Sequence, residues 1–158
     1  MKKIFLCAAF ALFSISLVNA QGVFKIGGTI GLPAADASDF SSFVIGVDAY
    51  YMFANIDSFI NFGPTVGFRN FFGKDDYDDA QFLPLAGAAR LKLFGVLNGG
   101  ADIGYAVGIN DGNDGGFYFR PVLGIDIADT IELNISYENI SGDGFTVGNL
   151  NAGILFEL

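Results

Sequence analysis

The sequence predicts an all-β protein, a transmembrane antiparallel eight-stranded up-and-down β-barrel. Three observations lead to this fold class. Apolar and polar residues alternate with a period of two along eight segments, as in strands with two unlike faces. The breaks between these segments alternate between acidic, longer ones and short ones. The chain is 52% hydrophobic, yet beyond its first twenty residues it lacks the run of about twenty apolar residues that a spanning helix requires.

The first twenty residues, MKKIFLCAAFALFSISLVNA, have the pattern of a secretory signal peptide. Two lysines precede an apolar run from Ile4 to Val18, and small residues follow it. We therefore expect cleavage after Ala20, so that residues 1-20 are removed and residues 21-158 form one β-barrel domain. The alternative is a membrane-anchor helix, but the run is short for a span. Cys7 lies within the removed segment, so the mature chain has no cysteine.

Each of the eight predicted strands has one apolar face without any charge. In chain order these faces are formed by Phe24, Ile26, Ile30 and Leu32; by Phe43, Ile45, Val47, Ala49, Tyr51 and Phe53; by Ile60, Phe62, Val66 and Phe68; by Leu83, Leu85, Ala89, Leu91 and Leu93; by Leu97, Ala101, Ile103, Tyr105, Val107 and Ile109; by Phe117, Phe119, Pro121, Leu123, Ile125 and Ile127; by Ile131, Leu133, Ile135 and Tyr137; and by Leu150, Ala152, Ile154, Phe156 and Leu158. Contact with lipid requires such a face. Pro64, Pro84 and Pro121 lie inside these strands and each removes a ladder donor, so we expect bulges or local bends there.

The connections between the strands are of two kinds. PAADASDFS, FGKDDYDDA, NDGNDGG and ISGDG are acidic and comparatively long, whereas ANID, FGV and ADT are short. This alternation predicts an up-and-down meander with two different ends. Long loops outside the cell and short turns in the periplasm are typical of outer-membrane barrels.

Eleven charged residues lie on the polar faces of the predicted strands, five basic and six acidic. They are Lys25, Asp48, Arg69, Arg90, Lys92, Asp102, Arg120, Asp126, Glu132, Glu138 and Glu157. A solvated surface does not need such a balance, but charges enclosed in a lumen must pair. We therefore expect the polar faces to point inward and to form a lumenal charge network. Arg120 should pair with Glu138, and Lys25 with Glu157.

Aromatic residues fall near both ends of the predicted strands, as in the two girdles that mark bilayer interfaces. The girdle at the short-turn end would contain Phe24, Phe53, Phe94 and Phe156, and the girdle at the long-loop end Phe43, Phe68, Phe117, Tyr137 and Phe145.

With its signal peptide, its eight alternating strands and its C-terminal strand NLNAGILFEL, the chain resembles the small eight-stranded outer-membrane β-barrels, the OmpA/OmpX-like and porin-like proteins. Members typically end in an aromatic residue, whereas this chain ends in Leu158. The resemblance implies an integral protein of the Gram-negative cell envelope with both termini in the periplasm. It further implies outer-membrane lipid, lipopolysaccharide and the outer-membrane assembly machinery as partners.

The residue types present argue against catalysis. The sequence has no histidine, and a mature chain without cysteine lacks the usual general base, the reactive thiol and the usual zinc ligands. Asp102, Asp126 and Glu132 could act as the general base only if their pKa values were strongly shifted. We interpret them instead as partners of lumenal cations. Removal of two signal-peptide lysines leaves 6 basic against 17 acidic residues, which disfavours nucleic acid as a partner.

Two acidic loops offer oxygen ligands on flexible backbone, which suits Ca²⁺. The weak candidate ligands are Asp75, Asp76, Asp78, Asp79, Asp111 and Asp114. The alternative is ordinary solvated loop charge, which we favour, and no cofactor is expected.

These features predict a non-enzymatic, monomeric outer-membrane barrel with a plugged, charge-paired lumen and a structural or surface-interaction role. One alternative is a narrow porin-like channel for small solutes, based on the small inward residues Gly100, Gly104, Ala106 and Gly108. Another is a soluble exported ligand-binding barrel.

Overall fold

The computed structural model describes residues 22–56 and 59–158, so the predicted signal peptide and its cleavage site lie outside the described residues. Within these ranges the chain forms eight strands and one short helix. They are β1 (Gly22–Ala35), α1 (Ala37–Phe40), β2 (Ser41–Ile56), β3 (Ile60–Gly73), β4 (Ala80–Leu93), β5 (Leu97–Gly108), β6 (Gly116–Ala128), β7 (Ile131–Gly142) and β8 (Phe145–Glu157). No helix in the described part of the chain is long and apolar enough to cross a membrane.

The strands form a closed barrel in which every neighbouring pair is antiparallel. Each strand pairs with the next one in the chain, and β1 also pairs with β8, which closes the sheet. In the closing pair Lys25 lies opposite Glu157, and Gly31 lies opposite Asn151. The predicted eight-stranded up-and-down architecture is therefore confirmed.

The two faces of each strand differ as the sequence pattern predicts. In β7, for example, Glu132, Ser136 and Glu138 are buried, whereas Leu133 and Ile135 between them are exposed. Ile, Leu, Val and Phe side chains are exposed on the outer face of every strand. A barrel that folds in water would have the reverse arrangement, because it buries its apolar face. The outer surface is instead suited to hydrocarbon.

The two ends of the barrel have different connections. The turn end carries Gly22, Glu157 and the short connections β2–β3, β4–β5 and β6–β7. The loop end carries the connections β1–β2, β3–β4, β5–β6 and β7–β8. One prediction about these connections is wrong: ISGDG is not a long loop. The pairing of β7 with β8 continues to Gly142 and Phe145, and Gly144 makes the tight turn with a φ of 77°.

Of the bulges or local bends expected at the three strand prolines, the bulges are absent, because the register is the same on both sides of each proline. Pro64 pairs with Gly87, Pro84 with Ala106 and Pro121 with Ala101. With its second neighbouring strand each proline forms no pair, but the residues before and after it are paired in an unchanged register. A missing N–H thus interrupts one ladder without inserting a residue. Register shifts lie elsewhere, at 41/43 and 54/56 in β2 and at 126/128 in β6.

The aromatic residues at the two ends lie mostly where the girdles were predicted. Phe24, Phe94 and Phe156 are exposed near the turn end. Phe43 is exposed near the loop end, where its ring stacks on that of Phe72 with centroids 4.3 Å apart. Phe117 and Tyr137 are likewise exposed on the outer face. The girdle prediction is wrong for Phe145, because its side chain packs against buried apolar residues inside the barrel.

Candidate functional site

The centre of the lumen holds a network of polar and ionic side chains from six strands, which we call the central network. It consists of Asp48, Tyr50, Arg69, Arg90, Asp102, Tyr118, Arg120 and Glu138. The strand alternation directs all of these side chains inward, and all are buried. Three arginines face three carboxylates, so the network is neutral overall.

Asp48 joins two arginines that come from opposite sides of the barrel. Arg69 Nη2 on β3 donates to Asp48 Oδ1 over 2.8 Å, and Arg120 Nη1 on β6 donates to Asp48 Oδ2 over 2.8 Å. Arg120 Nε donates in addition to Ser136 Oγ over 2.9 Å. Because each carboxylate oxygen has its own guanidinium, Asp48 fixes the two cations relative to each other.

Glu138 is the second carboxylate held by Arg69. Arg69 Nε donates to Glu138 Oε2 over 2.8 Å, and the Tyr118 hydroxyl donates to the same oxygen over 2.9 Å. The side chains of Arg69 and Glu138 are both fully buried. Arg69 also donates to the backbone carbonyls of Val47 and Phe68.

The third carboxylate, Asp102, lies on the side of the network nearer the turn end. The Tyr50 hydroxyl donates to Asp102 Oδ2 over 2.9 Å and accepts from Arg120 Nη1 over 3.2 Å. Arg90 Nη1 lies 2.7 Å from Asp102 Oδ1. The Arg90 guanidinium also lies over the Tyr50 ring, 5.4 Å from its centroid, a cation–π arrangement.

The expected ion pair between Arg120 and Glu138 is wrong, although its register is right. Phe119 pairs with Asn139 and Val122 with Ser136, which places Arg120 and Glu138 on the same level of β6 and β7. Within the described residues, however, Arg120 reaches across the lumen to Asp48, and Glu138 pairs with Arg69. Long side chains in a narrow barrel meet partners from distant strands as readily as neighbours.

A second group of charges, the turn-end cluster, consists of Lys25, Lys92, Asp126, Glu132 and Glu157. Lys25 Nζ lies 3.0 Å from Glu132 Oε2 and 3.7 Å from Glu157 Oε2, so the expected contact between Lys25 and Glu157 is present. Lys92 Nζ lies 2.8 Å from Asp126 Oδ2, and Asn98 Nδ2 donates to Asp126 Oδ1 over 2.7 Å. All eleven residues predicted from the sequence therefore lie in these two groups.

The turn-end cluster borders a cavity of about 220 Å³ inside the barrel, the turn-end cavity. Arg90 and Tyr50 of the central network form part of its lining, together with Met52 and Leu155. The cavity therefore lies between the central network and the turn end.

On the other side of the network lies a group of buried apolar side chains, the apolar layer. It contains Ala37, Val44, Phe71, Phe82, Ala106, Tyr118, Ile140 and Val147. The period-two pattern of the sequence does not reveal this layer, because it predicts a polar inward face for every strand. A signal was present in pairs of adjacent apolar residues at the loop-end parts of the strands, as in Phe71-Phe72 and Phe82-Leu83.

Above the apolar layer the loops enclose a wide, acidic vestibule of about 1190 Å³, with Phe82 and Val147 of the layer in its lining. Of the six candidate Ca²⁺ ligands, Asp78, Asp79, Asp111 and Asp114 border the vestibule, joined there by Asp36 and Asp39; Asp75 and Asp76 are not part of its lining. Across the described residues no three acidic, histidine or cysteine side chains converge as metal ligands would.

Comparison with known proteins identifies solved structures that have the same fold. No protein-family model matches the chain, and a search of curated proteins gives no match. Among solved structures, the crystal structure of Ail, the attachment invasion locus protein of Yersinia pestis, matches with a TM-score of 0.61 and 11% identity over 89% of this chain and 100% of that chain. The structure of Ail in a phospholipid bilayer nanodisc matches with a TM-score of 0.57 and 12% identity, over 87% of this chain and 100% of that chain. A de novo designed transmembrane β-barrel matches with a TM-score of 0.56 and 11% identity, over 89% of this chain and 100% of that chain.

The fold defined by this topology and these comparisons is that of a transmembrane antiparallel eight-stranded up-and-down β-barrel. It is the fold of the small outer-membrane β-barrels, as the sequence pattern predicts.

Proposed function

We propose that the chain is an integral outer-membrane protein whose lumen is plugged and whose role is structural or surface-interacting. The observation that carries this proposal is the layered filling of the lumen. The vestibule and the turn-end cavity have no lining residue in common, and the central network and the apolar layer lie between them. An eight-stranded barrel is just wide enough for side chains to fill its interior.

The outer surface supports membrane insertion. Ile30, Leu123 and Ile135 are more than half exposed and lie on strand faces without charge. The turn end, with both barrel termini, then lies in the periplasm and the acidic loop end faces outside, which is the usual polarity of such barrels. Outer-membrane lipid and lipopolysaccharide are the partners in this arrangement, and the outer-membrane assembly machinery inserts the chain. The barrel is a monomer, and nucleic acid is not among its partners.

The groups that line the interior support the proposal of a non-enzymatic role. The sequence has no histidine, and the described carboxylates of the central network are held by arginines or tyrosines. The loop end is the surface that remains for interaction. It displays Asp36, Asp39, Asp78, Asp111 and Asp114 around the vestibule. Attachment is a property of Ail, and only the fold is common to Ail and this chain.

The structure gives little support to the two alternatives. The narrow channel rested on small inward residues of β5, but a Cβ on Gly100 or Gly104 would lie within 2.1 Å of a carbonyl oxygen of β4. These positions therefore lie against a neighbouring strand instead of bordering an open lumen, and Ala106 belongs to the apolar layer. The soluble barrel conflicts with the exposed apolar outer face.

Labelling of intact cells tests the location and the orientation together. Cysteines introduced at Asp76 and Asp114 lie in loop-end connections, and one at Asp129 lies in the β6–β7 turn. A membrane-impermeant maleimide should label D76C and D114C on intact cells and D129C only after lysis. Labelling of D129C alone would show that the orientation is inverted. Protein found in the soluble fraction would overturn the proposal.

A further inference from the structure

The floor of the vestibule is apolar. Phe82 and Val147 of the apolar layer line it, together with Phe40 and Phe145, which pack against that layer and are partly exposed. The ring of Tyr77 lies 6.5 Å from that of Phe40 between centroids, and Tyr77 is 61% exposed, so it extends this surface upward. The floor faces the mouth of the barrel, where lipid does not cover it. It therefore favours contact with an apolar group of a ligand.

A rim of carboxylates surrounds this floor. The connections β1–β2, β3–β4 and β5–β6 each contribute two aspartates to the lining, and all six are exposed. The six residues of the rim are Asp36, Asp39, Asp78, Asp79, Asp111 and Asp114.

Basic residues do not compensate the charge of the rim. Six basic residues lie in the described part of the chain, and five of them belong to the central network or the turn-end cluster. The sixth, Lys74, is not part of the lining, and its Nζ donates to the Ser38 carbonyl of α1. Lys74 thus offsets at most one of the six negative charges. The charges of the lumen are paired, whereas the vestibule keeps a net negative charge that attracts cations.

Two of the six carboxylates hold the loops, and four are available to a ligand. The Thr146 backbone N–H donates to Asp36 Oδ2 over 2.7 Å, and Asp79 accepts from Asn70 and Gly73. The remaining four side chains make no hydrogen bond or ion pair with the residues that the structure describes. They are those of Asp39, Asp78, Asp111 and Asp114.

The arrangement of the rim distinguishes between classes of cation. Among the described residues no three acidic side chains converge, which argues against chelation of a single metal ion. The charges come from three separate connections and suit a ligand with several separated positive charges. The volume of about 1190 Å³ exceeds the roughly 300–1,000 Å³ of typical small-molecule pockets, which favours a segment of a polypeptide.

We propose that the vestibule binds a basic peptide segment. Its lysine or arginine side chains meet the four available aspartates, and an aromatic or large aliphatic side chain lies against the floor. The proposal rests on the surface-interaction role proposed above and specifies the chemistry of the partner. Polyamines and divalent cations match the rim alone, because they carry no apolar group for the floor.

Titration of the folded barrel with short peptides tests the proposal. The barrel is placed in nanodiscs of phosphatidylcholine, a lipid without net charge, at physiological ionic strength. The probe is acetylated and amidated Lys-Lys-Phe-Lys-Lys, which should shift the amide resonances of Gly112 and Gly144 in the lining saturably. Lys-Lys-Ala-Lys-Lys and spermine carry the same four positive charges without the ring and should bind about tenfold more weakly. Glu-Glu-Phe-Glu-Glu should give no saturable shift.

Two double variants separate the vestibule from general attraction to an acidic protein. Asp39→Asn with Asp78→Asn removes two available carboxylates of the rim and should weaken binding of Lys-Lys-Phe-Lys-Lys about five- to tenfold. Asp75→Asn with Asp76→Asn removes the same charge from the β3–β4 connection but outside the lining, and should weaken binding less than about twofold, because salt screens distant exposed charges.

Equal losses in the two double variants would overturn the proposal, as would the absence of a saturable shift. Equal affinity for Lys-Lys-Phe-Lys-Lys and spermine would assign the vestibule to simple polycations and overturn it too. The titration does not depend on how the barrel is inserted in cells, so its failure is distinct from a failure of the labelling experiment above.

Discussion

Leu123 and Val122 are neighbours in β6 that face opposite sides of the barrel. Leu123 is 52% exposed on the outer face, whereas Val122 is buried in the lumen. Leu123→Arg should lower the free energy of unfolding by roughly 2–4 kcal/mol if the residue lies near the bilayer midplane, because the change places a charge in hydrocarbon. Val122→Thr should have a small effect. Urea unfolding in lipid vesicles measures both, and equal losses would contradict the assignment of the faces.

A second prediction concerns the buried ion pair between Arg69 and Glu138. Either single change, Arg69→Leu or Glu138→Leu, breaks this buried ion pair and should cost on the order of 3–5 kcal/mol. The cost of Glu138→Leu should be the smaller one, because Arg69 keeps its contact with Asp48. The double variant should lose clearly less than the sum of the two. Arg120 with Glu138 is the matched control, since Arg120 pairs with Asp48 instead. A stronger coupling for Arg120 with Glu138 than for Arg69 with Glu138 would refute the observed pairing.

Among the elements, the β3–β4 connection is held by hydrogen bonds to a carboxylate whose protonation depends on pH. The Asn70 side-chain amide, over 3.0 Å, and then the Gly73 backbone N–H, over 2.9 Å, donate to the Asp79 carboxylate and hold its pKa below the usual range. A lowered pKa stabilises the folded loop at pH values above the unfolded pKa of about 3.9, and this contribution is lost as the pH falls through the folded pKa.

The Gly73 amide resonance should therefore remain constant from neutral pH down to about pH 4 and change only below it. Asp79→Asn retains an acceptor oxygen without titration, so this variant should lack the change. A transition of the Gly73 amide above pH 4, or the same transition in Asp79→Asn, would show that Asp79 does not anchor the loop.

The sequence predicted the elements far better than the contacts between them. The period of two determines which face of a strand points inward, so Asp48, Arg69 and Glu138 were placed correctly in the lumen. It does not say which strands lie across from each other, so the contact between Asp48 on β2 and Arg120 on β6 could not be predicted. The apolar layer was missed for a related reason. Val44 and Ile140 lie on the inward face, where lipid exposure imposes no constraint and both polar and apolar side chains can be buried.

For the molecule as a whole, we propose that the central network and the apolar layer together close the lumen. Single-channel recording in planar bilayers tests it most directly, with heat-modifiable gel migration as proof that the sample is folded. The folded protein should carry no unitary current in 1 M KCl, because side chains fill the interior of a barrel of this size. A stable, reproducible unitary current that is carried by the folded form and absent after denaturation would contradict it.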